Sequence, residues 1–571
     1  MLIRMLPPRE DLWAVAAATL AALATAALVV RPHSPAGYLL ASAALLVNLY
    51  RHGRRGLGRC IATHPAIVAG LLAAYVSRRP DELPQLFGAG AVLLVMVIGE
   101  GMVAKVAAPL VDVANAPHWR RLATRGVRRA AIFRINVALM IVVGVCAAAG
   151  APPVLAFTVV SCGAIAQAGL VLAALRATAD PRGPKELSRE LAHYAPEFLV
   201  HFSAPADMAY QVLMWLPHLE RVGRPFAVVV REEQHLASVA AATRVPVLYC
   251  PSIRALDLVV TRDLRAVYYV NNGMKNLHML RFTGLLHVQL LHGDSDKTAS
   301  FNPVTNLYDR VYVAGQAGID RYRANGVHIP AERFRVVGRP QLARIAVGPR
   351  REHPPSPPTV LYAPTWTGFY EDTNHCSLRV ATRIITSLLG RGATVILRAH
   401  PSTSRNRRAA AQLAAAERLL ARDRAATGRA HLWGDRSARE MSLADCVNAS
   451  DALVADVSSV VTDYLYSGRP FAITDMAGAG AALSSTFPLS RIGYVIDAEL
   501  TTLEHVLDAM LGPDPLAEQR LDARAYYLGD FPAKAYERVF LETVRGDLDA
   551  AGQAGAARTA TVSRDAEWAT S

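Results

Sequence analysis

The sequence predicts two architectures in series: a multipass α-helical membrane domain, then an α/β region of two Rossmann-like lobes. Three observations predict it. The first 176 residues hold about six apolar runs, most of them close to the roughly 20 residues that cross a bilayer. Basic charge gathers at the same end, with 20 Lys/Arg against 9 Asp/Glu in residues 1–190 and 41 against 38 in the rest. Beyond Pro184, short β-rich runs alternate with amphipathic stretches, as repeated βα units of parallel sheets do.

The apolar runs fall near 12–30, 36–50, 61–77, 86–108, 135–150 and 153–175, the second and fifth short enough for a re-entrant or tilted segment. Met1–Asp11 ahead of the first run has the form of a signal peptide, but the later runs favour a retained first helix. Four basic clusters test the count: Arg4 and Arg9; Arg51, Arg54, Arg55 and Arg59; Arg120, Arg121, Arg125, Arg128 and Arg129; and Arg176, Arg182, Lys185 and Arg189. If six helices alternate, all four lie on one side, which the positive-inside rule makes cytoplasmic together with both termini. The charge therefore speaks for plasma-membrane topology and not for nucleic-acid binding. Glu100 and Arg134 lie inside or at the edge of apolar runs and are expected to snorkel to the interface. Overall, 52% hydrophobic and 19% charged residues exclude a largely disordered chain.

Asp180–Pro184 is rich in helix breakers and marks a linker over 177–194. Strands are expected at Phe198–Phe202, Phe226–Val230, Val245–Tyr249, Ala266–Val270, His287–Leu291 and Arg310–Val313. A second series follows at Thr359–Tyr362, Thr394–Arg398, Ala452–Ala455 and Phe471–Thr474. Proline-rich Arg350–Pro358 reads as the hinge between lobes 195–349 and 350–548. Leu503–Leu511 and Leu516–Val544 read as closing helices, and 549–571 as a disordered tail. Six cysteines lie far apart with no CxxC pair, which speaks against disulfides and zinc and for a reducing setting.

Ligands of open α/β sheets bind beyond the C-terminal strand ends, and four polar clusters take such positions. In Leu290–Lys297, His292 can project into a cleft and Lys297 can meet phosphate charge. In Val360–Trp366, Thr365 or the backbone after it can touch phosphate, while Trp366 can simply pack between lobes. In Val395–Pro401, Arg398 suits bidentate phosphate contact and His400 can act as acid or donor, or be a satisfied structural histidine. In Ser450–Tyr464 the strand ends at Asp456, Ser458 or Ser459 caps the next helix at an anion-attracting N-terminus, and Asp463 can hold a ligand hydroxyl or brace the cap. No P-loop, GxGxxG, GxSxG or HExxH occurs, which disfavours nucleoside triphosphatase, dinucleotide oxidoreductase, serine hydrolase and zincin chemistry.

In this order, LLHGDSDK, LYAPTW, LRAHP and ADVSSVVTDY resemble the CDP-glycerol glycerophosphotransferase family, the teichoic acid primases and polymerases, over about residues 195–545. The resemblance implies a GT-B fold with the nucleotide held mainly by the C-terminal lobe. It implies His292 as base on the acceptor hydroxyl and His400 on the donor diphosphate. Asp456, Ser458 and Ser459 would form the phosphate turn, Asp463 part of the donor pocket, and Arg398 and Lys297 further donor contacts, beside Thr365 from the strand-end reading. The sequence departs from the family pattern at Leu291, Asp294-Ser295 and Val457, and Gly338–Gln341 follows its G-x-P-R turn only loosely. The implied reaction moves glycerol phosphate, or a related polyol phosphate, from a CDP-alcohol to a lipid-linked membrane acceptor and releases CMP. No carboxylate cluster demands a metal, and no cofactor is called for. The alternatives are a nucleotide-sugar glycosyltransferase of the same fold and a non-catalytic membrane-anchored nucleotide-binding scaffold.

Overall fold

A computed structural model describes residues 9–52, 63–106, 110–116, 129–179, 182–348, 357–368, 374–532 and 535–569. The chain divides into two compact units, Met1–Asp112 with Arg121–Leu187, and Val113–Arg120 with Ser188–Ser571.

In the first unit each apolar run becomes a helix: α1 Arg9–Val30, α2 Pro35–His52, α3 Thr63–Arg78, α4 Leu83–Val106, α5 Arg129–Ala149 and α6 Pro153–Ala179. Among the described residues, Pro80–Glu100, Ile132–Ala149 and Pro153–Ala173 are long and apolar enough to cross a membrane, while Ala16–Val30 and Pro35–Asn48 are apolar but shorter. Small residues let the helices approach closely. A Cβ on Gly70 would stand 2.8 Å from Thr25 Cα, and Thr25 Oγ1 donates to Ala66 O at 2.7 Å. Glu100 corrects its expected role. It is buried, accepts from Asn136 Nδ2 at 2.9 Å and lies 4.0 Å from His64 Nδ1, because a carboxylate inside an apolar bundle needs donors within it. Arg134 is exposed. The expected basic loops at 54–59 and 120–128 lie outside the described residues.

The second unit holds two sheets. Its strands are β1 Asp112–Ala114, β2 Phe198–Phe202, β3 Phe226–Val230, β4 Val247–Tyr249, β5 Ala266–Tyr269, β6 Leu286–Gln289, β7 Arg310–Val313, β8 Phe334–Val336, β9 Thr359–Ala363, β10 Thr394–Leu397, β11 Ala452–Asp456, β12 Phe471–Asp475 and β13 Tyr494–Asp497. The sheet orders are β1-β4-β3-β2-β5-β6-β7-β8 and β10-β9-β11-β12-β13, and the registered pairs from β2 onward are parallel. Strand order reverses between β2 and β5 in one sheet and between β9 and β11 in the other, the crevices where doubly wound sheets bind ligands. β2, β3, β5, β11 and β12 are buried along their whole length, so they appear in the sequence as predominantly apolar runs.

Sequence pattern missed β1, β8 and β13, two of them three residues long and therefore without a readable period. The lobe boundaries also cross the chain. Leu342 and Ile345 join the core of the second sheet, whereas Phe540, Val544 and Leu548 join the core of the first. The expected closing helix 516–544 is two helices, Ala517–Leu528 and Tyr536–Ala569, separated by Gly529 at φ +90° and Pro532. Tyr536–Ala569 also runs through the stretch expected to be disordered, since alanine-rich sequence has high helix propensity whatever its apolar period. A helix, Arg182–Tyr194, occupies most of the expected linker; Asp180 and Pro181, and the hinge up to Ser356, lie outside the described residues.

Candidate active site

β6 ends at Gln289, and Leu291 then takes φ +55°, a left-handed conformation that costs a branched side chain about 1 kcal/mol or more. Neighbours hold it there. Trp215 Nε1 donates to Leu291 O at 2.7 Å, and Leu291 N–H donates to Gln289 Oε1 at 3.0 Å. The turn presents His292 towards the second lobe. Its Nδ1 faces the Val270 carbonyl at 3.1 Å. A carbonyl only accepts, so Nδ1 carries the proton and Nε2 keeps its lone pair. Burial lowers the pKa of His292 to about 4, with the Val270 hydrogen bond opposing and Arg339 reinforcing.

His400 has the opposite arrangement. Pro401 opens a short turn, and Ser402 N–H donates to His400 Nδ1 at 3.1 Å. A backbone N–H only donates, so neutral His400 carries its proton on Nε2. Burial, then Lys297, His292 and Arg405, lower its pKa to about 3. Both imidazoles meet the ring of Tyr210 edge-on, with centroids 6.1 Å away for His292 and 5.6 Å for His400. Trp366 stacks on His400 at 5.9 Å and 19° and also packs on the core of the first sheet, so it fills the space between the lobes.

The other expected residues divide. Lys297 reaches across to Thr365, Nζ to Oγ1 3.2 Å; burial lowers its pKa and Asp456 opposes the shift. Asp456 acts as a brace: it accepts from Thr365 N–H at 2.6 Å, Ser377 N–H at 3.1 Å and Thr474 Oγ1 at 2.5 Å. Burial raises its pKa against those hydrogen bonds. Arg398 is anchored within its own lobe, where its Nη1 donates to the carbonyls of Ser437 and Met441. Ser458 holds the N-cap position of the helix Ser459–Leu465, but its hydroxyl makes no capping bond and is buried without a hydrogen-bond partner among the described residues. Ser459 Oγ lies 3.1 Å from where a Cβ on Gly293 would stand. Asp463 binds Arg339 of the Gly338–Gln341 turn, Oδ1 to Nε 2.6 Å, and burial raises its pKa while Arg339 opposes.

The departure at Asp294-Ser295 has a reason in the fold. Asp294 and Asp296 both bind the buried Arg321, which fixes the loop that carries Lys297. Tyr210, Gln211, Asn271, Trp215 and Arg339 escaped the sequence reading. The first three follow β2 and β5, the two strands of the first crevice, so the strand-end rule applied to those strands would have found them.

Residues 351–476 match the family described as CDP-glycerol:poly(glycerophosphate) glycerophosphotransferase, a span that includes Thr365, His400, Asp456 and Ser458 but not His292. No curated protein sequence matches the chain. Among solved structures, the wall teichoic acid polymerase TagF is 13% identical, with 64% of this chain and 94% of that one covered and a TM-score of 0.39. A glycosyltransferase from Rickettsia africae gives 12%, 62%, 98% and 0.39, and a UDP-N-acetylglucosamine 2-epimerase from Listeria monocytogenes, itself a provisional assignment, gives 9%, 62%, 96% and 0.42. Over residues 351–476 this chain is similar to the CDP-glycerol:poly(glycerophosphate) glycerophosphotransferases, and that similarity supports an enzyme with CDP-glycerol glycerophosphotransferase-like activity.

Proposed function

We propose that the protein transfers glycerol phosphate, or a related polyol phosphate, from a CDP-alcohol to a lipid-linked acceptor at the plasma membrane, in synthesis of a teichoic-acid-like polymer. The supporting observation is the pair of neutral imidazoles on Tyr210, one with an unprotonated Nε2 and one with an Nε2–H. The acceptor hydroxyl attacks the β-phosphorus, forming the new O–P bond. The bond from β-phosphorus to the bridging oxygen breaks and CMP leaves with that oxygen. The hydroxyl proton passes to His292 Nε2, while His400 Nε2–H, Lys297 and the Ser458 hydroxyl stabilise charge on the diphosphate. Positioning and charge stabilisation supply most of the catalysis in such transfers. The six apolar helices hold the enzyme at its acceptor, with the α/β unit and both termini on the cytoplasmic side.

The test offers membranes containing the full-length protein labelled CDP-glycerol, CDP-ribitol or UDP-sugars. Label is expected in lipid-linked product from a CDP-alcohol; label from a UDP-sugar alone refutes the reading in favour of a glycosyltransferase. His292→Ala and His400→Ala are each expected to slow transfer by about 10²–10⁴. Unchanged synthesis in both leaves only a binding scaffold.

A further inference from the structure

Gln211 is buried and stands beside the proposed base, its Nε2 3.4 Å from His292 Nε2. Its orientation follows from backbone groups whose roles cannot change. Gly273 N–H donates to Asn271 Oδ1 at 3.0 Å, so the other end of that amide is Nδ2. Asn271 Nδ2 donates to Ser203 O at 3.1 Å and to Gln211 Oε1 at 2.8 Å. Gln211 must therefore present its NH2 to His292, whose Nε2 is the acceptor because Nδ1–H is spent on Val270.

We propose that Gln211 is a positioning residue for His292: its amide N–H rests on the lone pair of the empty base and passes to the oxygen of the incoming acceptor hydroxyl. This rests on the transfer reaction proposed above. At 3.4 Å the hydrogen bond is weak, so an alcohol that donates to Nε2 and accepts from Gln211 replaces it readily. Until then a protonated Nε2 would meet a second donor, which keeps the base free. The other titratable and charged groups facing His292 are Tyr210, which also meets His400 and hydrogen-bonds Gln211, His400 itself, and the Arg339 cation paired with Asp463; neither the cation nor the Nε2–H of His400 can accept from His292 Nε2.

The experiment uses full-length protein in detergent micelles. Diethyl pyrocarbonate modification of His292, which requires an unprotonated ring nitrogen, is mapped by mass spectrometry against pH, alongside kcat/KM for transfer. Gln211→Glu places an acceptor opposite Nε2 and is expected to move the modification midpoint up by about 1 pH unit, with the acid limb of kcat/KM following. Gln211→Met removes the donor and is expected to move both upward by less, while raising KM for the acceptor. If Gln211→Glu does not fold, Gln211→Met decides. Midpoints that stay at the wild-type value in folded variants overturn the proposal. The modification needs no turnover, so it is read separately from the His292→Ala transfer assay that tests the reaction itself.

Discussion

Arg339 and Asp463 form a buried ion pair, Nε to Oδ1 2.6 Å, that ties the turn after β8 to the helix Ser459–Leu465 after β11. Neither side chain has water to fall back on. Arg339→Ala leaves an uncompensated buried carboxylate and is expected to cost about 3–5 kcal/mol, read from urea unfolding. Replacing both partners, as Arg339→Met with Asp463→Leu, should cost clearly less. Equal losses in the single and double variants would show that the pair itself is not what matters.

The two imidazoles predict the pH behaviour. An unfolded histidine titrates near pH 6.5, whereas burial holds His292 and His400 neutral down to about 4 and about 3. The unfolded chain therefore binds more protons below pH 6.5. Their contribution to stability is complete above that pH and is lost as pH falls towards the folded values. Transfer should show no acid limb near 6.5, and the urea midpoint should decline from there downward. The decline should flatten in the His292→Gln, His400→Gln double variant. A limb at 6.5 in kcat/KM would contradict the lowering of both histidines by burial.

Gly293 has little room for a side chain where the lobes meet. A Cβ there would lie 3.1 Å from Ser459 Oγ and 3.3 Å from its Cβ, so Gly293→Ala should displace one lobe from the other slightly. Because geometry errors of about 1 Å cost about 10²-fold in rate, kcat should fall while thermal stability changes little. Gly293→Ala with unchanged kcat would place this contact outside the reactive arrangement.

Ser458 carries a buried hydroxyl without a hydrogen-bond partner. Removing an unsatisfied buried polar group costs nothing in the empty protein, so Ser458→Ala should be as stable as wild type or more so. Its effect should appear as a higher KM for the CDP-alcohol. An unchanged KM removes Ser458 from the donor contacts.

Part of this architecture is legible one residue at a time. Apolar runs mark α1–α6, and predominantly apolar, β-rich runs mark β2, β3, β11 and β12, because strands buried on both faces need mostly apolar residues. His292 and His400 could be picked out because each follows a strand, where a polar residue has no core to fill. What the local pattern could not show is which partner each polar group meets. Glu100 finds Asn136, Asp463 finds Arg339 across 124 positions of sequence, and Arg398 turns to carbonyls near Ser437. Asp456 satisfies three donors. Hydrogen bonds depend on distance and direction and have no sequence period. The sequence by itself therefore determined the helices, most strands and the two histidines, while the tertiary structure alone decided their tautomers, their neighbour Gln211 and the braces between the lobes.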